Sequence, residues 1–330
     1  MPSESRSAAP LYPLTFKPIF KERIWGGRNL ESLYGKPLPL GLRVGESWEV
    51  SDRPGDESVI ANGPLQGRTL RWLMEQCPAA LLGPRDPVPA RFPLLIKIID
   101  AQDTLSLQVH PPAAVAARLG GEPKTEMWYV ARAEPAAALF AGLKKGVSRA
   151  EFERKLAAQT VAECIHRIPV REGDAMFLPS GRVHALGAGI VVFEVQQNSD
   201  TTYRVFDWNR VDRDGKARDL HVPQSLASID FGDFEPALLP RTVAAGHPGA
   251  IRPLARNELF TVSLRQWAGG DQLAWPAGRM GILGVVAGAL RMDGAGQTVE
   301  TGAGRFCLIP AQCEEIIVRA QASASFLEIT

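Results

Sequence analysis

The 330-residue chain carries 37 lysines and arginines against 36 aspartates and glutamates, and is 45% hydrophobic and 22% charged. This is ordinary for a folded soluble protein, and the length allows one or two domains with a large core. The even charge balance gives no argument for nucleic acid or a membrane as partner, so an anionic ligand would be small and held by a few local cations.

Residues 1–10 read as a frayed tail, polar and without the apolar core of a signal peptide. Pro13 to Phe20 reads as a first strand, Trp25-Gly26-Gly27 as a turn, and Gly45 to Ser51 as a second extended segment. Leu70, Leu73, Met74 and Leu81 lie near helical spacing and predict a helix over Arg68 to Leu82. Phe92 to Asp100 is a buried strand by its length and β-branched content. Lys97 interrupts it with a cation that needs a partner if it faces inward.

After a short strand around Leu107, Pro111 to Leu119 has alanine-rich helical character, with prolines at its start, and Gly120-Gly121 ends it. Glu126 to Val130 is a strand and Val147 to Thr160 a helix. Ile165 to Val170, Ala175 to Leu178, Ile190 to Gln196 and Thr202 to Trp208 are short strands. Glu235 to Leu254, rich in proline and alanine, reads as a linker to further short strands between Phe260 and Ile329. The pattern is all-β with helical inserts rather than βαβ, and it divides into residues 1–235 and 236–330. Cys77, Cys164, Cys307 and Cys313 form no C-x-x-C pair and suggest buried, reduced thiols. No apolar run approaches the ~20 residues that span a bilayer, so a cytoplasmic protein is expected.

Two stretches carry chemistry. In Leu107-Gln108-Val109-His110, alternation along a strand sends Gln108 and His110 to one side while Leu107 and Val109 pack behind. Alone, this is a half-buried strand with polar residues at its mouth. The second stretch is Gly173-Asp-Ala-Met-Phe-Leu-Pro179-Ser-Gly181-Arg-Val-His184, a G-x5-P-x-G-x-x-H frame in which two turns bracket a buried strand and deliver His184. It resembles the second motif of cupins, small β-barrels that hold a metal, although Ala188 stands where that motif has asparagine.

Gln108-x-His110-Pro111, then Lys124-x-Glu126-Met127, then the Pro179-x-Gly181-x-x-His184 turn and Arg204 together resemble type I mannose-6-phosphate isomerase, in its short bacterial form. Trp25-Gly26-Gly27, Gly45 to Glu49, Leu94 to Ala101 and Ser199 to Arg204 extend the resemblance over residues 12 to 234. It implies two cupin-type β-barrels (jelly rolls), mainly β, with small helical inserts in the N-terminal part. It also implies one zinc ion per chain on Gln108, His110, Glu126 and His184. Two nitrogens and two oxygens suit zinc, and manganese, cobalt or iron by chemistry alone.

The implied reaction interconverts mannose 6-phosphate and fructose 6-phosphate through an enediol, with a monomer or homodimer acting on the small sugar phosphate. Glu194, on the inward face of its strand and ten residues before Arg204, is the first choice of base, with Lys124 and His184 as competitors. Arg204 is the catalytic arginine of the pattern. Phosphate contacts fall to Ser106, Lys97 and Arg210, the last where related enzymes usually have lysine. Trp48 and Glu46 read equally as substrate contacts or core, and Lys97 also as half of a buried ion pair. His166 and His221 read as surface or strand residues.

The C-terminal half repeats the frame at Gly304 to Pro310. Glu315 stands where His184 would, and no histidine follows His247, so this unit is expected to lack a metal site. Two other functions stay open. An iron-dependent cupin oxygenase is disfavoured by the glutamine ligand and the cations near the site. A non-catalytic sugar-phosphate binder would have no need of Glu194 and Arg204.

Overall fold

The computed structural model describes residues 11–211 and 215–330, so the tail expected over residues 1–10 lies outside the described residues. Two compact units interleave along the chain. One consists of Pro18–Arg53 and Pro93–Arg241, the other of Met1–Lys17, Pro54–Phe92 and Thr242–Thr330. The protein is mainly β, as expected, and each unit is a jelly roll of two antiparallel sheets that do not close into a continuous barrel. No described helix is long and apolar enough to cross a membrane.

In the first unit a six-stranded sheet runs, in spatial order, Ala175–Leu178, Glu126–Ala133, Ile190–Gln197, Leu94–Ala101, Val44–Val50 and Ile19–Gly27. The five-stranded sheet runs Ile165–Pro169, Ala138–Leu143, His184–Leu186, Leu107–Val109 and Tyr203–Phe206. Ile99, Trp128, Val130 and Val192 of one sheet meet Leu139, Ala141, Ile168 and Leu186 of the other in one core. A second core, with Leu107, Val109, Val183 and Ala185, forms under Phe152 and Leu156 of helix Arg149–Ala157. Ser148 caps that helix by accepting from Glu151 N at 3.1 Å. Replacing a buried phenylalanine such as Phe152 with alanine costs about 3–5 kcal/mol. This second core anchors one side of the strands that carry Gln108 and His184, so their alternate residues are held toward the interior.

The second unit has a six-stranded sheet in the order Ala244–Ala245, Ala250–Arg256, Thr261–Trp267, Ala324–Ile329, Gly281–Ala287 and Phe306–Ile309. Its four-stranded sheet is Gln272–Ala274, Ile317–Ala320, Ala289–Gly294 and Gln297–Gly302. The hairpin after Gly294 closes through Ala295 and Gly296, both at positive φ, as a tight two-residue turn requires.

Three expectations are corrected. Trp25-Gly26-Gly27 ends the strand Ile19–Gly27 instead of forming a turn. A side chain on Gly26 would lie 2.4 Å from Gly45 N, so glycine there marks close strand approach. The helix expected over Arg68 to Leu82 is two helices, Leu70–Gln76 and Pro78–Leu82, because Pro78 can begin a helix but cannot continue one. The linker expected over Glu235 to Leu254 runs into the strand Ala250–Arg256, in which Pro253 lies beside a register shift that relieves the ladder of its missing N–H.

Candidate metal centre

Strand register explains the site. On the five-stranded sheet, Gln108 lies directly opposite His184 on one side and Arg204 on the other. Directly opposed residues of an antiparallel pair share a face, so these three side chains form one rung. On the six-stranded sheet a longer rung crosses four strands, Trp128 opposite Glu194, Glu194 opposite Lys97, and Lys97 opposite Trp48. Glu126, two residues before Trp128, shares its face.

His110, Glu126 and His184 converge, with ligand atoms within 4.8 Å of one another and all three residues buried. His110 Nε2 lies 3.3 Å from Glu126 Oε2, and His184 Nε2 lies 3.2 Å from Glu126 Oε1. Their other ring nitrogens are occupied: His110 Nδ1 is 2.9 Å from Thr201 O and His184 Nδ1 is 2.9 Å from Arg182 O. A carbonyl can only accept, so each Nδ1 carries the proton and each Nε2 offers its lone pair inward. His110 Nε2 and both Glu126 oxygens are buried with no partner in hydrogen-bonding geometry among the described residues. Buried polar atoms are seldom orphaned, and three around one point are what a cation would satisfy. Gln108 Nε2 lies 3.2 Å from His184 Nε2, which puts the carboxamide at the same point. The donor set fits a divalent ion of the zinc class.

Burial, then the charge of Lys124, pushes His110 down to about 3, which keeps it neutral as a ligand must be. Burial works against ionisation of Glu126, but Lys124 at 3.2 Å and the two histidines outweigh it and hold its carboxyl well below the usual range.

Beside these residues lies a cavity of about 360 Å³, a size suited to a small ligand, with Lys97, Ser106, Gln108, Lys124, Glu194 and Arg204 on its wall. Glu194 accepts from Trp128 Nε1 at 2.9 Å and stands 3.2 Å from Lys97 Nζ. Burial opposes the charge of Lys97, but Glu194 and Glu46 raise its pKa above the normal lysine value. Glu46 accepts from Arg23 Nε and Trp48 Nε1, both at 2.7 Å. Although burial penalises its charge, Lys97 and Arg23 bring its pKa down to about 2.

Two of the residues expected to contact the substrate lie off the cavity wall. Trp48 is buried behind it, with the ammonium groups of Lys21 and Lys97 over its ring at 4.6 and 5.1 Å. Arg210 donates to Thr104 O and Asp207 and lines a different cavity. Conversely, Arg23, Asp200, Thr202 and Arg218 line the site without having been foreseen. Arg23 shares a strand face with Trp25, so alternation reveals it once Gly26 and Gly27 are read as strand. Arg218 lies outside the strands and helices and leaves no periodic signal. His221 clamps the main chain of Arg204, its Nδ1 accepting from Arg204 N at 3.1 Å and its own N donating to Arg204 O at 2.8 Å.

Comparison with known proteins agrees with this geometry. The family model for the catalytic domain of type I phosphomannose isomerase matches residues 14–139. A Bacillus subtilis protein described as a probable mannose-6-phosphate isomerase, GmuF, is 34% identical over 93% of this chain and 96% of its own. The mannose-6-phosphate isomerase ManA of the same organism is 41% identical over 66% of this chain and 68% of its own. The crystal structure of a B. subtilis mannose 6-phosphate isomerase superposes with a TM-score of 0.87 at 29% identity, covering 97% of this chain and 100% of that one. By sequence and fold, the chain belongs to the type I mannose-6-phosphate isomerase family.

Proposed function

We propose that the protein is a zinc-dependent isomerase that interconverts mannose 6-phosphate and fructose 6-phosphate. The observation that carries this reading is the buried group His110, Glu126 and His184 beside a cavity walled by a carboxylate, Glu194, and a guanidinium, Arg204. His110, Glu126 and His184 would hold the ion, and Gln108 would complete the set through its carboxamide oxygen. When bound, the ion polarises the sugar oxygens and stabilises negative charge on them.

Moving a proton between C1 and C2 passes through an enediol and requires a base on the cavity wall. Glu194 takes the carbon-bound proton and returns it to the neighbouring carbon. Trp128 Nε1 and Lys97 Nζ hold its carboxylate in place from either side, so no rotamer search precedes the transfer. Arg204 has a buried Nε with no hydrogen-bond partner among the described residues, a donor for the charge that develops on the sugar oxygen. Lys124, 3.2 Å from Glu126 Oε2, is placed to exchange protons with substrate oxygens.

The test is isomerisation of mannose 6-phosphate by the zinc-loaded protein in D2O, read as fructose 6-phosphate formed and as deuterium gained at carbon. Glu194→Gln should keep its zinc and lose both signals by about 100-fold or more, within the range for a general base. Full zinc occupancy without turnover in the unaltered protein would sink the isomerase reading. Deuterium exchange at the normal rate in Glu194→Gln would remove the base from that residue.

A further inference from the structure

Most cations on the cavity wall are already matched. Arg23 pairs with Glu46, Lys97 with Glu194, and Lys124 with Glu126. Asp200, exposed on the wall, adds a further negative charge. A sugar phosphate brings a near-dianionic group, so the charge that meets it must come from the remaining two residues, Arg204 and Arg218.

Their surroundings leave a surplus of positive charge. Arg204 Nη1 donates to Asp219 O at 2.7 Å, a neutral acceptor, and no carboxylate among the described residues pairs with it. Arg218 donates through Nε at 2.7 Å and Nη2 at 2.5 Å to Asp207. Asp207 must also serve Arg210, whose Nη2 lies 2.5 Å away. Two guanidiniums share one carboxylate and Arg204 adds a third cation, so these four side chains carry a net of plus two.

The geometry separates Arg210 from Arg218. All three nitrogens of Arg210 are committed, Nε to Asp207 O at 3.2 Å, Nη1 to Thr104 O at 2.6 Å and Nη2 to the Asp207 carboxylate. It lines a second cavity of about 300 Å³. Arg218 lines both cavities, and its Nη1 bonds to none of the described residues. The turn from Asp207 to Arg210 is tied to the residues just before Ser106, through Arg210 to Thr104 O and through Trp208 Nε1 to Leu105 O at 2.6 Å. Ser106, next to the tied residues, and the Asp207-bound Arg218 both line the first cavity.

We infer that Arg218, aimed by Asp207, is the cation that recognises the substrate's phosphate group together with Arg204 and Ser106, and that Arg210 is a positioning residue behind it. The inference rests on the isomerase reading and assigns the part of the site that distinguishes a phosphorylated sugar from a free one. A guanidinium held on its Nε and Nη2 edge presents its remaining N–H groups in a fixed direction, which suits a phosphate oxygen.

Two measurements on the zinc-loaded protein test it, steady-state kinetics with mannose 6-phosphate and titration calorimetry with inorganic phosphate. Arg218→Gln should raise KM and weaken phosphate binding by roughly 10–100-fold, the range for a charge-assisted hydrogen bond, with kcat changed only a few-fold. Arg218→Lys should recover part of both, and Arg210→Gln should move both less than Arg218→Gln does. Asp207→Asn, which keeps Arg218 but frees it to swing, should raise KM several-fold and serves if Arg218→Gln does not fold. Ordinary KM and phosphate affinity in Arg218→Gln or Asp207→Asn, or a larger loss from Arg210→Gln, would overturn the assignment. Turnover by the unaltered protein with an indifferent Arg218→Gln defeats this inference alone. Absence of turnover in the unaltered protein defeats the isomerase reading instead.

Discussion

The two units contain the same turn twice, with different results. Gly173, at φ +82°, opens the strand Ala175–Leu178; Pro179 ends it, and eleven residues after the glycine His184 arrives buried on the next strand. In the C-terminal unit Gly304, at φ +72°, opens Phe306–Ile309; Pro310 ends it, and eleven residues on stands Glu315, exposed at φ +55°. The frame needs only a residue tolerant of positive φ, a buried four-residue strand and a stop. A metal centre needs more: a strand after the turn that faces a cavity, and partners at one level on other strands. Gln108 and Glu126 meet that need in the first unit, and among the described residues the second unit holds no such group. The same backbone device therefore serves packing in one place and is available to chemistry in the other.

The largest expected effect sharpens this contrast. His184→Ala should release the ion and cut activity by more than about 100-fold, since loss of outer partners alone costs 10–100-fold. Arg204→Ala should keep its ion and lose rate, and Glu315→Ala should change neither. Metal content by plasma emission spectroscopy, measured beside turnover, checks all three. A metal-bearing His184→Ala protein would break the comparison.

A second contrast is electrostatic. Glu46 holds Arg23 and Lys97 in the first unit, and Glu328 holds Arg265 at 2.7 Å and Arg279 at 3.0 Å in the second. Both Glu46→Gln and Glu328→Gln should destabilise the fold, but only Glu46→Gln should also alter catalysis, because Lys97 and Arg23 line the cavity. The Glu46 carboxyl is depressed from an ordinary 4.5 to about 2. Its stabilisation, up to about 3 kcal/mol, is therefore present above pH ~4.5 and lost as pH falls toward 2. Urea unfolding at several pH values should show the gap between the unaltered protein and Glu46→Gln narrowing over that window. A constant gap would mean that the carboxylate's charge is not what stabilises.

The smallest effect concerns the turns themselves. Gly173→Ala and Gly304→Ala should each cost about 1–2 kcal/mol, the strain of a side chain in left-handed backbone. Only Gly173→Ala should weaken zinc binding, because only its turn leads to a ligand. Equal zinc affinity in the two variants would show that His184 does not depend on the turn.

Much of the candidate metal centre was legible because its residues are few, chemically distinctive and set on short strands where alternation fixes their direction. The inward Lys97 announced that it needed a partner, and the cross-strand register supplied Glu194. What stayed illegible depended on contacts between distant segments. Arg210 and Arg218 are both arginines near the same aspartate, and nothing local shows which is consumed by Thr104 O and which reaches the cavity. Trp48 read evenly as core or contact, and it is core, buried behind the wall with its ring beneath the Lys97 ammonium. Gly26 was misread because a glycine that permits close strand approach looks, in sequence, like one that permits a turn. The strand Ala250–Arg256 was hidden by Pro253, which a register shift accommodates.

The rung Trp128, Glu194, Lys97 and Trp48 has a consequence for how the enzyme fails. It crosses four central strands of one sheet, so its spacings are set by backbone ladders and not by a mobile loop. Such ladders open only with the cooperative unit they belong to. Denaturant should therefore silence the proposed base Glu194 at the same concentration that melts the sheet, whereas Arg218, outside the sheets, is free to loosen earlier. Between those two points lies a regime in which substrate affinity declines while the chemical step is preserved, so the early stage of inactivation is a loss of grip before it is a loss of chemistry.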